Sequence, residues 1–88
     1  MPLVRRTPRS LRIQEILTKK RIEAGLTQQE LAARMHRLQA YVSRIENGER
    51  RLTLEDFMDF SEALGLNEQE FLDTVREAPA YRTIRRTT

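Results

Sequence analysis

The stretch Leu26–Arg50, LTQQELAARMHRLQAYVSRIENGER, decides the fold. Thr27-Gln-Gln-Glu30 is a capping box, in which the threonine hydroxyl accepts from the N3 amide and the glutamate reaches back to the N-cap amide. Leu26 and Leu31 flank it at N′ and N4, the places of a hydrophobic staple. A helix therefore starts at Thr27, with Leu31, Ala32 and Met35 facing inward. After only His36-Arg37-Leu38, a second helical pattern runs over residues 39–47, with Val42 and Ile45 as its inward pair. Leu38 is a poor N-cap, so this start is less well specified. Two short helices joined by so tight a link are expected to cross at a steep angle. Asn47-Gly48 follows a helical pattern and reads as a C-cap, not as a hairpin turn.

The flanks add three more helices. The first is expected from about Ser10 to Ala24, with Ile13, Ile16, Leu17 and Ala24 near one face and Gly25 as the stop. Pro8 fits its first turn or lies just outside it. Thr53-Leu-Glu-Asp56 caps the fourth, whose apolar stripe reads Leu54, Phe57, Met58, Ala63 and Leu64, with Phe60 beside it and Gly65 at the end. Asn67-Glu-Gln-Glu70 caps the fifth, with Phe71, Leu72 and Val75 on its apolar face and Pro79 after it. No period-2 alternation marks a strand. The expected fold class is all-α, five helices in one domain over residues 10–78, with a basic flexible arm at 1–9 and a basic tail at 79–88.

Eighty-eight residues leave room for one small core. Cysteine is absent and histidine occurs once, which excludes disulfides, a thiolate zinc site and a His-cluster metal site. No cofactor is implied. No apolar run approaches the roughly 20 residues of a membrane span, and MPLVRRTPRS has no apolar h-region, so a cytoplasmic location is expected. Glu49, Glu55, Asp56, Asp59, Glu62, Glu68, Glu70 and Asp73 read as solvated helix faces and caps, and a single histidine in a turn supports no catalytic set. Charge is segregated. Residues 1–12 carry four arginines and no acid, residues 13–52 eight bases and five acids, residues 53–78 one base and eight acids, and residues 79–88 three arginines. Such a molecule has a basic end and an acidic end, and presents a polyanion with a defined face.

The helix over 39–47 offers an outward face of Gln39, Ala40, Tyr41, Ser43 and Arg44. Glutamine pairs with adenine and arginine with guanine in the major groove of double-stranded DNA, and a small Ala40 permits close approach. Gln28 and Gln29, at a helix N-terminus with free amides, are placed to bind a phosphate. Asn47, Arg50 and Arg51 follow the outward helix and are expected to flank the groove as phosphate contacts. Arg5, Arg6 and Arg9 form a candidate DNA-binding arm. Phe71, Leu72 and Val75 form a candidate dimer surface, which the local acidity keeps off DNA. The competing class is a protein-interaction module, such as an antitoxin or adaptor. Such a module tolerates apolar or acidic residues on that outward face, where no acid occurs before Glu46. A membrane-surface reading needs a basic amphipathic helix, for which the first helix, with Lys19, Lys20 and Arg21, qualifies only in part.

Residues 17–66 resemble the phage-repressor-type (Cro/C1, XRE-like) helix-turn-helix family. The resemblance rests on Arg21, Gly25-Leu26-Thr27-Gln28, Glu30-Leu31-Ala32, Val42-Ser43-Arg44-Ile45-Glu46, Gly48-Glu49-Arg50 and Ala63-Leu64-Gly65. It implies a five-helix, lambda-repressor-like domain that acts as a small transcriptional regulator, a repressor, in the form of a homodimer on an inverted repeat. By position, Gln28 matches the phosphate-anchoring glutamine, and Gln39, Ala40 and Arg44 match base-reading positions, with Tyr41 and Ser43 alongside. Asn47, Arg50 and Arg51 match phosphate contacts. The resemblance also implies an internal ion pair between Arg21 and Glu46. Family members usually carry Gly in the turn, then an apolar residue and a Ser, Thr or Pro cap, where this chain has His36-Arg37-Leu38. Either His36 adopts a left-handed conformation, at a strain of about 1 kcal/mol, or the turn differs. Leu38 is either the apolar contact displaced by one residue or a contact for a thymine methyl.

Overall fold

The computed structural model describes residues 7–79, which form five helices and, among the described residues, no strand. The helices are α1 (Pro8–Glu23), α2 (Gln28–Arg34), α3 (Gln39–Glu46), α4 (Leu54–Leu64) and α5 (Glu68–Arg76). Arg5 and Arg6 of the expected arm, and the tail beyond Pro79, lie outside the described residues.

Local chemistry accounts for most of the boundaries. The Thr27 hydroxyl accepts from the Glu30 amide at 3.0 Å, while the Glu30 carboxylate accepts from the Thr27 amide at 2.9 Å. Thr53 and Asp56 make the same reciprocal box at the start of α4. Asn67 caps α5 through the Glu70 amide. Helix α1 begins two residues before the expected Ser10, because Thr7 and Ser10 form a box of their own and Pro8 occupies N1. Arg9 is therefore a helical residue and not part of an arm, and its Nε donates to the Ala78 carbonyl at 3.4 Å. At the other end Ala24 is the exposed C-cap and not a core residue.

The turn between α2 and α3 is made without glycine. His36 sits at φ 58°, its amide bonds to the Ala33 carbonyl at 3.1 Å, and the Arg37 amide bonds to the Ala32 carbonyl at 2.9 Å. These two bonds make a Schellman motif, with His36 in the left-handed position usually held by glycine. Leu38 then serves as N-cap of α3 without a side-chain hydrogen bond, in agreement with its poor capping chemistry. It is 81% exposed, so it does not supply the displaced apolar contact.

The core consists of Leu17, Leu31, Ala32, Val42, Ile45, Phe60, Phe71 and Val75. Phe71 and Val75, at 5% and 8% exposure, are core residues of the single chain and not a free dimer surface; of the expected trio only Leu72, at 42%, is exposed. The reason is helical spacing. Positions 71 and 75 share a face that lies on the domain, with the Phe71 ring 4.9 Å from that of Phe57, while position 72 is turned about 100° away. The same geometry corrects α4, where Phe60 is fully buried and Leu54 and Met58 are exposed.

Candidate nucleic-acid interface

Helices α2 and α3 are the most closely packed pair, and a chain of side-chain hydrogen bonds ties them to α1. Arg21 Nε donates to Glu46 Oε2 at 2.7 Å and Arg21 Nη2 to Glu46 Oε1 at 3.1 Å, a two-pronged ion pair largely shielded from solvent. Arg21 Nη1 donates to the Leu26 carbonyl at 2.8 Å, which fixes the entry to α2. Glu46 Oε1 also accepts from Gln28 Nε2 at 3.0 Å, and Gln28 Oε1 accepts from Gln39 Nε2 at 2.8 Å. Gln28 is thus engaged at both ends of its amide inside the protein. It positions Gln39, the first residue of α3, as much as it faces solvent.

Beyond Gln39, α3 exposes Ala40 and Arg44, with Ser43 half-buried between them. Arg44 makes no side-chain hydrogen bond or ion pair among the described residues. Tyr41 departs from the expected base-reading face. Its hydroxyl donates to Asp56 Oδ1 at 2.6 Å, and its ring lies 6.0 Å from that of Phe60 in a stacked arrangement. Burial, then the hydrogen bond to Asp56 and its negative charge, push the phenol well above its ordinary pKa of 10.0. Tyr41 is a packing residue that joins α3 to α4.

The segment after α3 turns sharply. Gly48 has φ 83° and is buried against Gln14, whose amide would lie 2.8 Å from an added Cβ. The Glu49 and Arg50 amides both return to the Arg44 carbonyl, at 2.8 and 3.1 Å. Asn47 accepts from the Glu49 amide through Oδ1 at 3.1 Å. Arg51 is exposed, as is Gln29 on α2. Arg50 lies over the Tyr41 ring at 5.0 Å and pairs with Asp56 at 3.1 Å.

Two residues escaped the sequence reading. Asp56 looked like a solvated cap, yet it is 2% exposed. Arg37 looked like a turn residue, yet its guanidinium lies over the Tyr41 ring, 4.3 Å from the centroid, and pairs with Asp59 at 3.3 Å. No local pattern flags either, since both depend on where Tyr41 lies in three dimensions. For Asp56, burial works to raise the pKa, but hydrogen bonds from Thr53, Tyr41 and Arg50 outweigh it and hold the carboxyl at about 2, below the usual 3.8.

The geometry is that of two short helices locked on a third, with an exposed, acid-free surface on the second of the pair. A helix-turn-helix family profile matches residues 17–71, more than half of the chain. The chain belongs to the helix-turn-helix family of the XRE, Cro/C1 type. As an XRE-family chain it is a helix-turn-helix transcriptional regulator of DNA-binding type. It is 37% identical over 59 residues to the uncharacterised HTH-type transcriptional regulator y4dJ of Sinorhizobium fredii, covering 67% of this chain and 77% of that one. An XRE-family like protein from Pseudomonas syringae pv. tomato superposes with a TM-score of 0.73 at 40% identity, over 78% of this chain and 84% of its own. A point variant of the restriction-modification controller protein C.Esp1396I superposes with a TM-score of 0.71 at 26% identity, over 78% of this chain and 92% of its own. That controller protein has also been solved as a tetramer in complex with its natural 35 base-pair operator. Among the described residues of this XRE-family chain no helix is long and apolar enough to cross a membrane, and no cluster of His, Asp and Glu is arranged to hold a metal ion.

Proposed function

We propose that the chain is a sequence-specific reader of double-stranded DNA, acting in the cytoplasm as a small transcriptional repressor and binding as a homodimer on an inverted repeat. The observation that carries this reading is the outer face of α3. Gln39, Ala40, Ser43 and Arg44 point away from the core, no acid lies among them, and Gln39 is held in place by Gln28 while Arg44 has no partner among the described residues. An arginine in that state offers a two-pronged donor to guanine, and a pre-positioned glutamine amide offers adenine one donor and one acceptor. At eight residues α3 is about 12 Å long, short enough to enter a major groove. Gln29, Asn47, Arg50 and Arg51 flank that face and serve as phosphate contacts, with Gln28 reaching phosphate from its anchored position. Leu38, exposed at the tip of α3, meets a thymine methyl. Affinity then comes mainly from phosphates and falls with salt.

The dimer surface is proposed on the outer side of α5 around Leu72, in the acidic half of the chain. No catalytic activity is proposed. Selection of binding sites from a random duplex pool tests the reading: an enriched inverted repeat with half-site centres roughly one helical turn apart is expected. Salt-sensitive binding to every duplex alike, with no enrichment, would overturn sequence reading and favour a protein-interaction module.

A further inference from the structure

Asp56 lies at N3 of α4, where a capping carboxylate is ordinarily solvated, yet both of its oxygens are used inside the protein. Oδ2 accepts from the Thr53 amide at 2.9 Å and from Arg50 Nη2 at 3.2 Å. Oδ1 accepts from the Tyr41 hydroxyl at 2.6 Å and from Arg50 Nη2 at 3.1 Å. Three segments therefore converge on one buried carboxylate: α3 through Tyr41, the loop after α3 through Arg50, and α4 through Thr53. Arg50 is anchored by Nη2 alone. Its Nε and Nη1 make no hydrogen bond among the described residues, the side chain is half-exposed, and the Tyr41 ring supports the guanidinium from below. Guanidinium donors share one rigid plane, so an anchor at one end dictates where the others point. An ammonium gathers its three donors on one nitrogen at the end of a flexible stem, so an anchor on one of them does not aim the others through a rigid plane.

We infer that Asp56 is a positioning residue for DNA binding, which by bridging Tyr41 and Arg50 aims the remaining N–H groups of Arg50 at a backbone phosphate beside the groove that α3 enters. The inference rests on the DNA reading proposed above. Asp56 touches no DNA. On charge alone, a carboxylate near a docked polyanion weakens binding, and its removal tightens it. Positioning has the opposite sign.

The full chain is titrated onto its selected duplex and onto an unrelated duplex of equal length, as wild type, Asp56→Asn, Arg50→Gln, the double variant and Arg50→Lys. Circular dichroism melting sets a temperature at which each variant is folded. Expected are losses of about tenfold on both duplexes for Asp56→Asn, Arg50→Gln and Arg50→Lys, with little further loss in the double variant. Unchanged or tighter binding by folded Asp56→Asn, losses that add in the double variant, or wild-type affinity in Arg50→Lys overturns the positioning role. If Asp56→Asn does not fold, Arg50→Lys decides alone, since it keeps the charge at a half-exposed site and removes only the two-ended geometry. A wild-type chain that binds no duplex overturns the DNA reading and the positioning role together. Normal wild-type binding with a silent Arg50→Lys overturns positioning alone.

Discussion

His36 holds a backbone angle of 58°, in the left-handed region that strains an L residue by about 1 kcal/mol. The two hydrogen bonds of its Schellman motif, and the packing of α2 on α3, over-determine the turn and keep it there. His36→Gly is expected to raise stability by up to about 0.5 kcal/mol, measured by urea unfolding, because relief of about 1 kcal/mol of strain is partly offset by the added entropy of the unfolded chain. Asp56 makes a pH-dependent contribution. Its folded-state pKa, about 2, lies below the unfolded value, so the stabilisation is complete above roughly pH 4 and is lost as pH falls toward 2. The size is about 2 kcal/mol. The stability gap between wild type and Asp56→Asn is therefore expected to narrow between pH 4 and pH 2 in thermal melts; a constant gap would show that the carboxylate charge adds nothing. The missing glycine at position 36 left two readings open, a left-handed His36 or a different turn, and the structure takes the first. The burial of Asp56 was not legible, because a capping signature is the same whether its carboxylate meets water or an arginine.

Helices α1, α2 and α3 act as one unit because the Arg21, Glu46, Gln28 and Gln39 side chains link them in series. Glu46→Ala leaves a shielded guanidinium without its partner and is expected to destabilise the fold by about 3–5 kcal/mol in urea unfolding, far more than loss of an exposed pair such as Lys19–Glu23. A loss under about 1 kcal/mol would mean that water replaces the carboxylate freely. At this level the sequence was most readable where capping and periodicity agree. The Thr27, Thr53 and Asn67 caps and the inward pair Val42 and Ile45 stand where their patterns place them. Reading failed where apolar residues outnumber the buried face. Helix α4 carries more apolar side chains than its packed side accommodates, so Leu54 and Met58 face solvent. Tyr41, next to Val42 in sequence, turns to α4 because an aromatic side chain between faces follows its polar partner, here Asp56.

The charge division of the chain carries through to its architecture. Most of the basic residues lie on α1, α2, α3 and the loops that join and follow them, and most of the acidic residues lie on α4 and α5. With Phe71 and Val75 committed to the core, a dimer built on α5 depends on Leu72. Leu72→Glu, at an exposed position, is expected to leave the fold intact and to shift sedimentation equilibrium at micromolar concentration from dimer to monomer; unchanged association would place the interface elsewhere. The candidate site was legible as a helix face but not in its internal couplings, since the anchoring of Gln28, Arg50 and Tyr41 arises only when distant segments meet. The proposed function turns on Arg44 of that face reading a base. Its most direct test is the affinity of wild type and Arg44→Ala for the selected operator and for a random duplex of equal length. A loss of about 1–3 kcal/mol on the operator, with little change on the random duplex and relaxed preference at one base pair, is the expected result. Equal losses on both duplexes would contradict base reading and reduce Arg44 to a phosphate contact.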